Sequence, residues 1–195
     1  MKNSPICLDW IRNEKTSTDL ALVSCDIKGN IFKWNLNTNQ HFRYFPENKP
    51  ITQIKSKENS FIVAVGYNQG TIVILDVENQ HMKILFKLKN HDDCVNCLYW
   101  FPANQENQEE TNNLASAFNT ENVSSILCSS AEDKTIRFWC ISSGNQLKCI
   151  KTPQGSSSST KSNAKQNSAR INYTPICWPN PNYIVAGSYK YDFNG

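Results

Sequence analysis

The sequence lacks the hydrophobic signals that mark membrane and secreted proteins. No apolar run approaches the roughly 18 residues that a membrane-spanning helix needs, and the start, MKNSPICLDW, has no secretory hydrophobic region. A strong charge of either sign is also missing, because 20 Lys and Arg residues against 17 Asp and Glu residues leave a formal charge of +3. We therefore expect a cytosolic or nuclear protein without membrane contact, whose mildly basic charge permits RNA or phosphate contacts without implying them.

Sequence motifs of enzymes are absent as well. The chain contains no Gly-rich phosphate loop, no nucleophile elbow and no paired-carboxylate motif. Its eight cysteines are scattered through predicted strands, so we interpret them as reduced core residues. Cys94 and Cys97 have the CxxC spacing, but residues three apart in a strand point to opposite faces, and no second CxxC or His pair supports zinc. We expect neither catalysis nor a metal or other cofactor.

What the sequence does contain is a repeated pattern of short strands. The segments GNIFKWNL, GTIVILDV and KTIRFWCI place Trp34, Leu75 and Trp139 at matching points. The first interval is 41 residues and the second is 64, and a polar insert accounts for the difference. A repeat of roughly 40 to 45 residues with several short apolar runs is typical of the blades of a β-propeller.

The stretch 89–141 resembles one complete WD40 repeat. In that family a loop His, a strand Ser or Thr, a turn Asp and a strand Trp form a buried chain of hydrogen bonds, and His91, Ser129, Asp133 and Trp139 stand at the matching positions. Burying such groups without partners would cost roughly 1–3 kcal/mol each. The resemblance implies a structural tetrad rather than a catalytic one. It also implies an all-β fold, a partial WD40 β-propeller of about three full blades plus part of a fourth.

The predicted propeller domain covers residues 4–191. Its blades are expected at about 4–45, 50–89, 89–150 and 171–191. The polar segments 104–124 and 152–169 cannot bury enough apolar area to offset their ordering, so we expect disordered loops there. The last unit supplies only two strands, which predicts that the chain is part of a larger propeller.

The first two units retain less of the tetrad. In the first unit Ser24 and Trp34 occupy two of the four positions, and Lys28 replaces the Asp. We therefore expect apolar packing, rather than a polar chain, to hold this blade. In the second unit Leu75 takes the Trp position and the tetrad is absent.

A closer resemblance rests on a succession of segments. These are AVGYNQGTIVILDV, LKNHDDCVNCLYWFP, an acidic insert containing NQEET, and SSAEDKTIRFW. The succession resembles the N-terminal propeller region of the gem-associated WD-repeat family, the subunits of the SMN complex that recognise small nuclear RNA. The resemblance implies an RNA-binding segment that recognises the Sm site and the 7-methylguanosine cap. Its partners would be small nuclear RNA and other SMN-complex proteins during snRNP assembly, in the cytoplasm and in nuclear bodies. The alternative is a WD40 scaffold that binds proteins without RNA.

The same resemblance implies three RNA-contacting residues. A cap-stacking aromatic of the family lies five residues before a strand Trp, and counting back from Trp178 gives Tyr173, where the family has Trp. A cationic methylated guanine would be attracted to this ring, although Tyr173 is otherwise an ordinary aromatic at the start of a strand. Arg170 could contact phosphate or be a solvated charge. The family's acidic RNA contact falls on Cys94 here, so only its neighbour Asp93 could substitute.

Overall fold

The computed structural model describes residues 5–11, 21–79, 81–101, 112, 115–119, 125–151, 171–180 and 183–190. Within these ranges the chain forms fourteen strands in four antiparallel sheets. The strands are β1 (Pro5–Ile11), β2 (Ala21–Asp26), β3 (Ile31–Asn35), β4 (Gln40–Tyr44), β5 (Ile51–Ser56), β6 (Ile62–Tyr67), β7 (Ile72–Asp76), β8 (Lys83–Leu88), β9 (Val95–Trp100), β10 (Ile126–Ala131), β11 (Thr135–Cys140), β12 (Asn145–Lys151), β13 (Ile171–Asn180) and β14 (Tyr183–Lys190).

Each sheet is a meander of consecutive strands. β1 to β4, β5 to β8 and β9 to β12 form three four-stranded sheets, and β13 pairs with β14. Short runs rich in Val, Ile and aromatic residues favour strands, and the tight turns between them favour antiparallel pairing of neighbours. The first strands β1, β5, β9 and β13 lie next to one another from sheet to sheet. The sheets therefore stand side by side as blades, which confirms the predicted all-β partial propeller.

The repeated aromatic position has the same register in successive sheets. The cross-strand pairs are Trp34 with Leu22, Leu75 with Val63, and Trp139 with Leu127. In each case the partner is an apolar residue on the second strand of the same sheet. Because a slip of one residue would move every side chain to the opposite face, this shared register places equivalent side chains at equivalent depths in each blade.

The core lies between the blades rather than within them. Val63 and Val65 on β6 pack toward the first sheet, whereas Ala64 on the same strand packs toward the third. All three side chains are fully buried. A strand that is covered on both faces needs apolar residues at every position, which explains the unbroken apolar run in the second unit.

One face of the first sheet is open. Ile6, Leu8 and Trp10 on β1 are 47%, 59% and 44% exposed. Leu8 has the register position of Ile54 in the second sheet and Leu98 in the third, and those residues are only 3% and 4% exposed because the preceding sheet covers them. This face has the composition of an interface between blades.

Part of the insert predicted as a disordered loop over 104–124 packs on the third blade. Residues 115–118 are helical, and the ring of Phe118 lies 4.9 Å from that of Phe138. Most of the remaining insert, and the whole predicted loop 152–169, lie outside the described residues. Within the described ranges, the structure contains no helix with the length and hydrophobicity needed to cross a bilayer.

Candidate nucleic-acid interface

One end of the sheets carries both the turns between second and third strands and the connections from one sheet to the next. We call this end the upper rim; it comprises the turns 27–30, 68–71 and 132–134 and the connections 45–50 and 89–94. The turns of the first two sheets are in close contact with the connections that follow those sheets. A Cβ on Gly29 would lie 2.6 Å from the Lys49 carbonyl oxygen, and one on Gly70 would overlap the His91 carbonyl. Both glycines have positive φ, 92° and 77°. The upper rim is therefore tightly packed at these two points.

The third blade carries a complete chain of hydrogen bonds from this rim into the core. The Trp139 indole donates to the Ser129 hydroxyl oxygen at 2.8 Å, and Ser129 lies 2.7 Å from His91 Nε2. The other imidazole nitrogen, Nδ1, lies 2.8 Å from the Asp133 carboxylate. The chain ties the connection before β9 to both β10 and β11.

The donors and acceptors of this chain allow one consistent proton arrangement. Because an indole can only donate, the Ser129 oxygen accepts from Trp139, and its own hydroxyl donates to His91 Nε2. The imidazole proton is then on Nδ1, which donates to Asp133. Burial lowers the pKa of His91, outweighing the opposing attraction of Asp133. Burial would raise the pKa of Asp133, but hydrogen bonds from Thr135 and His91 outweigh it and hold that pKa below its ordinary value.

The order Ser129, His91, Asp133 is that of a hydrolytic triad, but its burial makes it structural. The His91 side chain and the whole of Ser129 are 0% exposed, so no substrate can reach the hydroxyl. The serine oxygen is also occupied by the Trp139 indole. In the part of the chain that the structure describes, no group of three or more His, Cys, Asp and Glu side chains is arranged to hold a metal.

A pH-dependent stability follows from the neutral, buried imidazole. The unfolded chain takes up a proton at His91 near the ordinary pKa of 6.5, whereas the folded chain does so only at lower pH. We therefore expect the free energy of unfolding to fall as the pH drops below 6.5. Urea unfolding of the wild-type chain at a series of pH values above and below 6.5 would measure this loss.

Two variants test whether the pH dependence of the free energy of unfolding comes from His91. His91→Gln should lose most of the pH dependence in this window, while His81→Gln, at an exposed position, should keep it. An unchanged pH dependence in His91→Gln would contradict the assignment. A separate loss of stability at still lower pH is expected from Asp133, whose folded pKa also lies below its ordinary value.

The first blade retains more polar structure than the sequence suggests. The Trp34 indole donates to Ser24 at 3.0 Å, and Asp26 accepts hydrogen bonds from the backbone of Lys28 and from both the backbone and the side-chain amide of Asn30. Apolar side chains of this blade are buried against the second sheet, as expected, and the Trp34–Ser24 and Asp26 hydrogen bonds add to that packing. A carboxylate two residues before the tetrad position organises the turn instead.

The family model that matches this sequence is that of a β-propeller. The family model of the first β-propeller of RIG matches residues 42–135. Over 145 residues, 68% of this chain, the sequence is 31% identical to human Gem-associated protein 5 and 30% identical to the mouse protein of that name. The chain is a WD40 propeller segment similar to Gem-associated protein 5. It spans about a tenth of the length of these relatives.

A solved structure supports the fold of this WD40 segment. The crystal structure of the computationally designed Ika4 protein superposes with a TM-score of 0.65, covering 96% of this chain and 87% of that one at 18% identity. At this identity the likeness concerns the fold alone. The family model that matches the sequence is likewise that of a propeller.

Of the three RNA-contacting residues that the family resemblance implies, the structure describes the side chain of one and the backbone alone of another. Asp93 is exposed on the connection before β9, and its carboxylate accepts a hydrogen bond from the Cys94 amide at 2.8 Å. The backbone of Tyr173, near the start of β13, pairs with Ser188, but its side chain is not among those described. Arg170 lies outside the described residues. Since β9 and β13 are neighbours, Asp93, just before β9, and Tyr173, in β13, belong to adjacent sheets.

A cavity on the upper rim of the first blade escaped the sequence reasoning. Its volume is about 500 Å³, and it lies between the β2–β3 turn and the β4–β5 connection. It is lined by Ile27, Lys28, Asn30, Arg43, Phe45, Asn48, Lys49 and Pro50. The signal that could have indicated it is the basic and aromatic segment RYFPENKP, but its third cation, Lys28, comes from a separate turn.

Proposed function

We propose that this chain is an RNA-binding propeller segment that recognises small nuclear RNA for SMN-complex-dependent assembly of spliceosomal snRNPs in the cytoplasm and nucleus. Its targets would be the Sm site and the 7-methylguanosine cap. The observation that carries the proposal is the similarity to Gem-associated protein 5 over 68% of the chain. The protein would act as a binding module rather than as an enzyme.

The chemistry of a methylated cap suits an aromatic ring at Tyr173. The methylated guanine is planar and positively charged, so a ring face attracts it by stacking and by a cation–π interaction. Arg170, three residues before Tyr173, would supply a positive charge for the cap phosphates. Asp93, exposed on the neighbouring connection, would accept hydrogen bonds from base N–H groups. Stacking, charge and hydrogen bonding would then act on one ligand from the same rim.

The proposal is tested by cap binding to the full chain and two variants at one position. Tyr173→Ala should weaken binding of a 7-methylguanosine cap analogue by roughly 5- to 150-fold, the equivalent of about 1–3 kcal/mol for one stacked base. Tyr173→Trp should bind the analogue more tightly than the wild-type chain, because Trp is the best cation–π partner. Fluorescence anisotropy of a labelled cap analogue, with unmethylated GTP as the competitor, would measure both.

The unmethylated competitor and the folded state provide the controls. Because unmethylated guanine lacks the positive charge, its affinity should depend less on residue 173. Thermal unfolding would establish that both variants remain folded. Equal cap affinity of the wild-type chain and Tyr173→Ala would reject the assignment of Tyr173 while leaving binding at the Sm site to be measured with an uncapped RNA.

A protein-binding scaffold is the second candidate, favoured by the open face of the first sheet. Leu8 and Trp10 are exposed there among apolar neighbours, which is the character of a protein interface. Affinity capture with and without nuclease distinguishes the two functions. Protein partners that survive RNA removal, together with no detectable binding of capped RNA, would favour the scaffold.

A further inference from the structure

The cavity on the first blade's upper rim, defined above by its lining residues, concentrates positive charge. Lys28, Arg43 and Lys49 come from the β2–β3 turn, β4 and the β4–β5 connection, and among the residues that the structure describes no Asp or Glu lines the cavity. Glu47 lies on the same connection, but its carboxylate is bound to the Lys87 ammonium at 2.5 Å and does not line the cavity. The cavity therefore offers three cations whose charge is not offset by any carboxylate among the described lining residues.

Hydrogen bonds hold the back of this cavity in place. The Arg43 Nε donates to the Asn30 side-chain oxygen at 2.8 Å, and the Asn30 amide donates to Asp26 at 2.7 Å. Asp26 is 2% exposed and faces the turn that it organises. Gly29 packs against the carbonyls of the opposite wall, so the distance between the turn and the connection is fixed as well. A guanidinium that is already oriented loses less entropy on binding an anion.

An apolar surface lies beside the cations. Phe45 is 50% exposed and Ile27 is 59% exposed, and both line the cavity. An exposed aromatic ring next to several cations matches a ligand that carries both phosphate and a planar ring. Proteins that bind single-stranded nucleic acid use this combination of a basic groove and a ring on which a base stacks.

We propose that this cavity binds one nucleotide of single-stranded RNA, with its phosphates at Lys28, Arg43 and Lys49 and its base against Phe45. This subsite rests on the proposed RNA-binding function and extends it to a blade to which the family resemblance assigns no RNA contact. A phosphopeptide would also meet the cations, but it has no need of the exposed ring beside them. The ring is the feature that favours a nucleotide.

The charge contribution is tested with two double variants of equal charge. Lys28→Ala/Lys49→Ala removes two cavity lysines, and Lys83→Ala/Lys148→Ala removes two exposed lysines on the outer strands β8 and β12. Binding of a labelled uridine-rich RNA oligonucleotide to the full chain would be measured by anisotropy over a range of salt concentrations. The plot of log affinity against log salt concentration has a negative slope, and the cavity variant should make it less steep by about 1.4. This corresponds to roughly 0.7 for each of two lost phosphate contacts with a single strand. The outer-strand variant should change it far less.

The stacking contribution is tested at Phe45. Phe45→Ala should weaken RNA binding by roughly 5- to 150-fold without changing the salt slope, and Phe45→Trp should restore the affinity. Thermal unfolding of each variant would check the fold, and the restored affinity of Phe45→Trp excludes a general loss of structure.

The outcomes separate this subsite from the proposed function. If the wild-type chain binds RNA and the cavity variants bind equally well, the subsite is wrong and RNA binding stands. If the two double variants lose the same affinity, only the overall charge matters and the subsite is again wrong. If a phosphoserine peptide displaces the RNA and binds independently of Phe45, the nucleotide assignment falls. If the wild-type chain binds no RNA, both proposals fail together.

Discussion

Replacing Trp139 with alanine is expected to lower the free energy of unfolding by about 3–5 kcal/mol, the usual range for truncating a buried Trp. The side chain is 2% exposed and packs between the second and third sheets. Its indole also donates to Ser129, so its removal leaves the serine oxygen without that hydrogen bond. Urea unfolding followed by far-ultraviolet circular dichroism would measure the change without relying on Trp fluorescence.

Trp34 is the matched control for this prediction. It occupies the same register position in the first sheet and makes the same bond to a serine, Ser24, but it is partly exposed and lies against the exposed ring of His41 at 4.7 Å. Trp34→Ala should therefore cost only about 1–2 kcal/mol, close to one hydrogen bond plus limited packing. Equal losses in the two variants would mean that neither burial nor the complete tetrad distinguishes the third blade.

Gly70→Ala should be the second strongly destabilising substitution, with an expected cost of about 3 kcal/mol from backbone strain and overpacking together. Gly70 has φ of 77°, which L residues adopt at a cost. Its added Cβ would overlap the backbone carbonyl of His91 and lie 3.1 Å from that of Asp93. Because these atoms belong to the connection that carries the tetrad histidine, the turn and the connection would have to separate. Thermal and urea unfolding would measure the loss.

Gly144→Ala tests whether the close backbone contact or the dihedral angle alone sets that cost. Gly144 has a similar φ of 73°, but its Cβ would meet the ring of the half-buried Phe86 rather than a backbone. A side chain can shift, so the expected cost is about 1–2 kcal/mol, the strain of a left-handed residue. If Gly144→Ala were as destabilising as Gly70→Ala, the packing of turn against connection would add nothing.

The repeat was accessible from sequence because it depends on local spacing, whereas the tetrad positions came from the resemblance to a WD40 repeat. A strand alternates its side chains with a period of two, and short turns fix which residues face one another across neighbouring strands. The spacing of Trp34, Leu75 and Trp139 therefore carried over directly into one register position in three sheets. The unbroken apolar run of β6 is also a local feature of the sequence, and it suits a strand that is covered on both faces.

The polar contacts of the first blade were harder to predict from the sequence, because its turn departs from the family pattern. Lys28 stands at the position of the tetrad Asp, and the sequence alone gives no reason to select Asp26 as its replacement. That role depends on the path of the turn, which aims the amides of Lys28 and Asn30 at the earlier carboxylate. Phe118 was missed for a related reason: the polar composition of the insert hides one aromatic that packs on Phe138.

The order of blades and the shared register were determined by the sequence itself, since each depends on residues a few positions apart along a strand or around a turn. The WD40 resemblance located the tetrad, whose His91 lies 38 residues before Ser129. The grouping of Lys28, Arg43 and Lys49 beside Phe45 was decided by the tertiary structure alone. Those residues meet because the β2–β3 turn packs against the β4–β5 connection. Gly29 in the turn allows this close contact, since a side chain there would collide with the carbonyl oxygens of the connection. Contact between a turn and a separate connection depends on how the sheets pack against each other. No local pattern of residues encodes the distance between two such elements.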